Sequence, residues 1–257
     1  RGSLRNKLLI LLPAALALSL LASWLITPLL MLGGAYLCYE GAEKLFEAIW
    51  PHEAHAHEAA LGETAADSAA LEAQKVAGAV RTDFILSAEI MAITLASLPE
   101  GSLWMRALVL AVVGIGITML VYGGVALIVK ADDAGLAMAR NGNGSALGSL
   151  TRGFGRGLVK AMPYFLRLLA AVGTAAMIWV GGGIIVHGLE GYGLSGIAHF
   201  IHDAAAAAAR IAPRSGAVGE WLVSAVGSGL VGLAVGAALI PLVSYGLAPA
   251  WAAIRRR

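Results

Sequence analysis

Charge is scarce in this sequence. Only 13% of its 257 residues are Asp, Glu, Lys or Arg, about half the share found in a soluble domain. With 59% hydrophobic residues and a mean hydropathy of +0.79, that scarcity excludes an ordinary water-soluble domain and points to a membrane protein. Cysteine is nearly absent. Cys38 stands alone, so no internal disulfide can form. A net charge of +2 is too small to argue for nucleic acid as a partner. Catalytic patterns are missing as well: there is no Gly-x-Ser-x-Gly elbow, no HExxH, and no cysteine–histidine pair with an orienting partner. No glycine cluster follows a strand to form a phosphate loop. The sequence therefore argues against an enzyme and implies no cofactor.

What is present is apolar length. A helical span needs about 20 mostly apolar residues. Six segments qualify or nearly do: Leu8–Ile26, Pro28 to about Lys44, Thr82–Leu98, Leu103–Val129, Lys160–His187 and Glu220–Leu247. The first is longer than the 7–15 apolar residues of a signal peptide and leads into more apolar sequence, so it reads as a span. The second and third are short and carry acids. A four-span protein with those two re-entrant is the alternative. The expected fold is all-α: a polytopic transmembrane bundle of about six spans forming one domain.

Orientation follows from the loops. With six crossings and a cytoplasmic N-terminus, 14 of the 18 basic residues fall inside, including Lys7, Lys44, Arg81, Lys130 and Arg255 to Arg257. An odd number of spans would spoil that bias, so both termini are expected in the cytoplasm. Inner loops then cover 45–80 and 130–160, and an outer loop covers 189–219 with a surface helix around Ile197–Ile211. A weak internal echo joins "LGGAYLCYEGAE" (32–43) to "WVGGGIIVHGLE" (179–190), pairing Gly34 with Gly181, Gly41 with Gly188 and Glu43 with Glu190. Transporters often contain such repeats, and glycine-rich membrane helices also resemble each other by chance.

Ser224, Ser228, Gly232 and Gly236 recur every four residues and form one small-residue ridge. Such a ridge lets another backbone approach where lipid offers no hydrophobic drive. Packing within the chain is favoured over a homo-oligomer seam. Gly114, Gly116, Gly123 and Gly124, and Gly181 to Gly183, read the same way.

The informative feature is charge inside the spans. Glu40, Glu89 and Arg167 sit on three separate helices, each about 10–12 Å from the inner surface at 1.5 Å per residue. A charge at the bilayer centre costs about 2.5–3.5 kcal/mol on the insertion scale, so such groups face protein or water and pair. The three are expected to meet in an inner-leaflet cluster, with Asp83, Glu43, Lys44 and Arg81 at its mouth. That cluster either lines a pathway for protons, a small cation or a small solute, or it only fixes helix register. Two histidine groups were weighed as metal sites: His52, His55 and His57 in the inner loop, and His199, His202 and Asp203 on one outer helix face. Solvated polar surface is the blander reading of both.

At "GAVRTDFILSAEI", "SLRNKLLILLPAAL", "ITPLLMLGGAYLCYEGAEKL" and "VGGGIIVHGLE" the chain resembles the bacterial inner-membrane YedI family, also labelled MutK after a role in DNA repair. The resemblance implies a multi-pass protein of the inner membrane with no assigned biochemistry, and supplies no site residues. It also implies a polar segment ahead of Arg1. The repair label finds no support in the residues, because the basic groups follow loop topology and form no recognition helix. The expected partners are the lipid bilayer, a small ion or solute and a second copy of the chain.

Overall fold

The computed structural model describes residues 2–49, 68–98, 102–140, 146–211 and 216–243. Among these residues the chain forms seven helices and no strand. They are α1 (Gly2–Leu21), α2 (Ile26–Ile49), α3 (Ser68–Ser97), α4 (Leu103–Ala139), α5 (Ala146–Gly191), α6 (Gly196–Ile211) and α7 (Gly216–Pro241). Five of them, α1, α2, α4, α5 and α7, are long and apolar enough to cross a membrane. Large apolar side chains face outward along them, among them Leu120 at 78% and Leu127 at 71% exposure. Lipid rather than water is the solvent such a surface fits. This is a multi-pass membrane protein.

The expected sixth span differs. Residues 82–98 belong to α3, which is 30 residues long but too polar to qualify beside the other five. Its charges explain this: it packs among α1, α2 and α4, where Asp83 meets Lys7 and Arg81 meets Tyr36. Several boundaries also move. Residues 45–49 and 68–80 extend α2 and α3, and most of 130–160 is helix, with α4 running to Ala139 and α5 starting at Ala146. Apolar composition marks the stretch that needs lipid, whereas a helix continues until a stop signal appears. At 37 and 46 residues, α4 and α5 are about 55 and 69 Å long, well beyond a ~30 Å hydrocarbon core. Their extensions pack together where Gly155 meets Gly135 and Ala139.

Local chemistry sets the ends that matter. Between α1 and α2 the chain breaks at Ala22 and makes a 3₁₀ turn at Ser23–Leu25; Pro28 then falls in the first turn of α2, where its missing N–H costs nothing. Ser102 caps α4 by accepting from Met105 N–H at 3.3 Å. At the end of α5, Gly193 adopts φ +84 while its N–H reaches the Glu190 carbonyl (2.9 Å) and Leu194 N–H reaches Leu189 (2.9 Å). Only glycine takes that left-handed turn without strain.

The second half of the structure centres on α2 and α5. They run antiparallel, with Gly34 on Gly181, Gly41 against Ile178 and Gly188 against Met31. Every member of this set maps onto the set itself when 147 is added or subtracted, since Met31 becomes Ile178 and Gly41 becomes Gly188. The same operation carries Leu37 onto Ile184 and Leu30 onto Met177, which share one core cluster. It also carries α3 onto positions 215–244, within which α7 lies, and preserves contact register: Tyr36–Arg81 in α2–α3 corresponds to Gly183–Ser228 in α5–α7. His52 and His55 map onto His199 and His202 in sequence. The internal echo is thus an antiparallel structural repeat about a pseudo-two-fold axis beside Gly34 and Gly181.

The repeats are not equally packed. On α7, Gly232 lies against Ile178 and Gly182 of α5, and Gly236 against Cys38 and Ala42 of α2, so α7 fills the α2–α5 groove. The equivalent positions on α3 hold Ile85 and Glu89. These are too large for that approach, and among the described residues the backbone of α3 comes close to α2 but not to α5. The glycines of α4 are mixed. Gly114 is packed, whereas Gly116, Gly123 and Gly124 meet nothing within 4 Å, because they face away from the neighbouring helices.

Candidate functional site

The most deeply buried charge is Lys7, with 1% exposure. It opens a π-helical turn, Lys7–Leu11, in α1, a local widening common at functional positions. Its ammonium donates to Asp83 Oδ1 at 3.0 Å and to Thr118 Oγ1 at 3.1 Å. The hydroxyl of Ser3 donates to Asp83 Oδ2. Ser87, also buried, donates its hydroxyl to the Asp83 carbonyl one turn back. Three helices each supply an i, i+4 pair: Ser3 with Lys7 from α1, Asp83 with Ser87 from α3, and Gly114 with Thr118 from α4. Gly114 makes the room, since a Cβ there would stand 3.9 Å from Lys7 Cβ and 3.0 Å from Met91 Cε.

Depth gives the pair its interest. Thr118 is the midpoint of the uncharged run Ala107–Val129 of α4, so the ion pair lies level with the middle of the helix that needs lipid most. One side is sealed by Leu11, Met91, Leu95 and Leu110. Beside Lys7 a cavity of about 10 Å³ is bounded by Ser87, Ile90, Met91, Gly114 and Ile117, room for about one water. An ammonium has three donors, and Asp83 and Thr118 take two of them.

A second polar group lies between α2 and α3. Glu40 accepts from Lys44 at 2.7 Å and from Thr82 at 3.3 Å. Arg81 donates to the Tyr36 hydroxyl at 3.3 Å, with its guanidinium 5.7 Å from the ring centroid. Tyr39 donates to Glu43 at 2.9 Å. Glu89 is half-buried on the α3 face that carries Thr82, Ile85 and Leu86, and makes no hydrogen bond or ion pair with a described residue.

The expected union of Glu40, Glu89 and Arg167 is not what the structure holds. Glu89 is seven residues, about 10 Å, along α3 from the Thr82 that contacts Glu40. Arg167 is exposed and lies over the ring of Tyr164, at 5.8 Å, one turn away on its own helix. Gly41 meets α5 at Ile178, a further 16 Å or so along that helix. Equal depth in sequence did not become proximity, because α2 crosses α5 well past Arg167. Asp83, placed at the mouth, instead belongs to the buried pair. Lys7, counted from the sequence among the inner-side basic residues, is the buried partner of Asp83; the signal for its place is the i, i+4 spacing of Ser3 with Lys7 and of Asp83 with Ser87. His199, His202 and Asp203 are all exposed on α6, and no group of three His, Cys, Asp or Glu suited to a metal occurs among the described residues. His52, His55 and His57 lie outside the described residues. On α7, Gly232 and Gly236 are buried, and the backbone of Ser228 abuts Gly182.

The family described as "Protein of unknown function (DUF808)" matches residues 1–242. The chain belongs to that family. No curated protein and no solved structure matches it. Chemistry in this DUF808 chain must therefore be argued from its own residues. Lys7 and Asp83 neutralise each other in a nearly dry place, and Asp83 is the one member with a little exposure, 18%. A carboxylate so placed can accept a proton or a cation only if Lys7 yields its position or its own proton.

Proposed function

We propose that this protein moves protons or a small cation across the membrane, with the Lys7–Asp83 pair as the step at mid-depth. The observation that carries the reading is that pair, at the level of Thr118. Intramembrane ionisable groups are functional by default, because a bundle can be fixed more cheaply with apolar side chains. Two further features support it. The antiparallel repeat of α2–α3 and α5–α7 is the architecture on which many transporters alternate access. An interrupted polar wall runs along α3: Glu40 with Thr82 and Arg81 beside the pair, and Glu89 about 10 Å further on, past the apolar Ile85 and Leu86. In this reading α3 also crosses, as a sixth span shielded by α1, α2 and α4, so the protein sits in a bacterial inner membrane with Arg140 and both termini on the cytoplasmic side, and it is not an enzyme.

The test is flux. Protein reconstituted in liposomes containing a pH-sensitive dye is given a pH or cation gradient. Wild type is expected to dissipate it, and the Lys7→Met/Asp83→Leu double variant, which strands no charge, to stop that while still folding. A folded double variant that leaves flux unchanged would overturn the role of the pair.

One observation favours a second reading. The cavity beside Lys7 has room for about one water and the Leu110 cluster seals one side, as a purely structural ion pair would require. The protein is then a scaffold, alone or as a homo-oligomer, and the pair sets helix register. That reading expects no flux from wild type, and a Lys7→Met/Asp83→Leu double variant at least as stable as wild type.

A further inference from the structure

We propose that the cleft between α5, α6 and α7 is a binding site for a small organic cation with N–H donors, of the alkylammonium or guanidinium class. The cleft holds about 150 Å³ and is lined by His187 and Glu190 of α5, His202 of α6, and Ser224 and Ser228 of α7, over a floor that includes Val186 and Ile201. Its one acidic side chain is the Glu190 carboxylate, and the two hydroxyls and the imidazoles can each accept as well as donate. His187 Nδ1 and Glu190 Oε2 are 3.7 Å apart, which places both at one rim. The apolar floor suits a short hydrocarbon stem. The volume exceeds that of a bare metal ion, and no three-ligand metal group occurs among the described residues.

The internal two-fold supports a positive charge on the ligand. Under the 147-residue shift, Glu190 is the counterpart of Glu43, His187 of Glu40 and Gly183 of Tyr36. In the first repeat this neighbourhood already contains two cationic head groups: the Lys44 ammonium on Glu40 at 2.7 Å and the Arg81 guanidinium over Tyr36. The counterparts of Lys44 and Arg81 are Gly191 and Ser228, which carry no charge. The second repeat keeps one carboxylate, Glu190 for Glu43, replaces Glu40 and Tyr36 by His187 and Gly183, lacks the tethered cations and has a cleft where they would stand. A free ammonium or guanidinium ion completes it. His187 and Glu40 each lie six residues beyond the axis on antiparallel helices, so this site is about 18 Å from the Glu40 group, toward the other end of the bundle.

The inference rests on the repeat and does not need transport. The full chain in nanodiscs is titrated with ethylguanidinium chloride, and binding is read by saturation-transfer NMR of the ethyl protons. Wild type is expected to bind saturably. Glu190→Gln should weaken binding roughly tenfold or more, the scale of one lost charge-assisted hydrogen bond. Ser228→Arg, which supplies the head group that Arg81 supplies in the first repeat, should abolish it, and Glu40→Gln should leave it unchanged. Tetramethylammonium, with no N–H, should not compete. Absence of saturable binding to folded wild type overturns the proposal. So does a Glu190→Gln affinity equal to wild type, a loss caused by Glu40→Gln instead, or equal competition by tetramethylammonium. If both cleft variants misfold, His202→Ala decides: its ring is exposed, the fold should survive, and unchanged affinity overturns the site. Failure of the flux experiment leaves each of these outcomes as it stands.

Discussion

Gly181 and Gly34 meet backbone to backbone at the crossing of α2 and α5. A Cβ on Gly181 would stand 2.7 Å from the Gly34 carbonyl oxygen and 2.8 Å from Cys38 Sγ. Backbone cannot step aside as a flexible side chain does. Gly181→Ala is therefore expected to destabilise by about 1–3 kcal/mol through overpacking. Gly116→Ala, where nothing lies within 4 Å, should instead gain about 0.5–1 kcal/mol by removing a glycine from a helix interior. Thermal unfolding in detergent, followed by circular dichroism, checks both. Equal midpoints for the two variants would mean that the crossing is looser than the coordinates place it.

The buried pair makes a sharper prediction. Lys7→Met leaves Asp83 with its Ser3 contact but no counter-charge, in a site that excludes water. Stranding one partner of a buried pair costs about 3–5 kcal/mol, so the single variant should unfold far earlier than wild type. Adding Asp83→Leu removes the stranded charge and should return most of that loss. A double-mutant cycle on unfolding midpoints measures the coupling. Independent, additive losses would show that the two side chains do not depend on each other.

How far the sequence announces all this can be judged from particular residues. The helical class and most apolar spans are legible because lipid demands about 20 apolar residues in a row, a local property. Helix ends are less so: Ala139 and Ala146 lie well past the apolar windows, and the stop signal between them is the Asn-Gly-Asn-Gly stretch at 141–144, which an apolar count does not register. The Gly34–Gly181 echo is visible as identity at a fixed offset, yet only the crossing shows it to be a symmetric contact. The charge site is the least legible. Depth along a helix can be counted, but azimuth and crossing cannot, so Arg167 counts to the level of Glu40 and still faces outward. Lys7 looks like a flank of α1 until Asp83 and Thr118 are seen on either side of it.

Orientation can be tested with the chain's own single thiol. Cys38 is fully buried, so the native protein offers an impermeant maleimide almost no background. Ser102→Cys and Arg140→Cys place exposed thiols at the two ends of α4. In intact cells stripped of the outer membrane, Ser102→Cys should be labelled, and Arg140→Cys only after lysis. The reverse pattern would invert the bundle and with it the assignment of Arg140 and both termini to the cytoplasm.

The two glutamates on the polar wall separate conduction from packing. Glu40 holds Lys44 at i, i+4 and Thr82 across the α2–α3 contact, with Lys44 largely in the open. Such a pair contributes about 0.3–0.5 kcal/mol, so Glu40→Gln should lower the unfolding midpoint only slightly. Glu89 has no partner among the described residues to lose, and it stands on the α3 position equivalent to Gly236, the closest point of α7 on α2. Glu89→Gln should leave the midpoint unchanged or raise it, since an unpaired half-buried carboxylate is a cost to the fold. If α3 lines the pathway, the same substitution should cut flux in liposomes severalfold despite that intact stability. A midpoint that falls by several degrees with flux untouched would make Glu89 a packing residue and leave the polar wall without a conducting role.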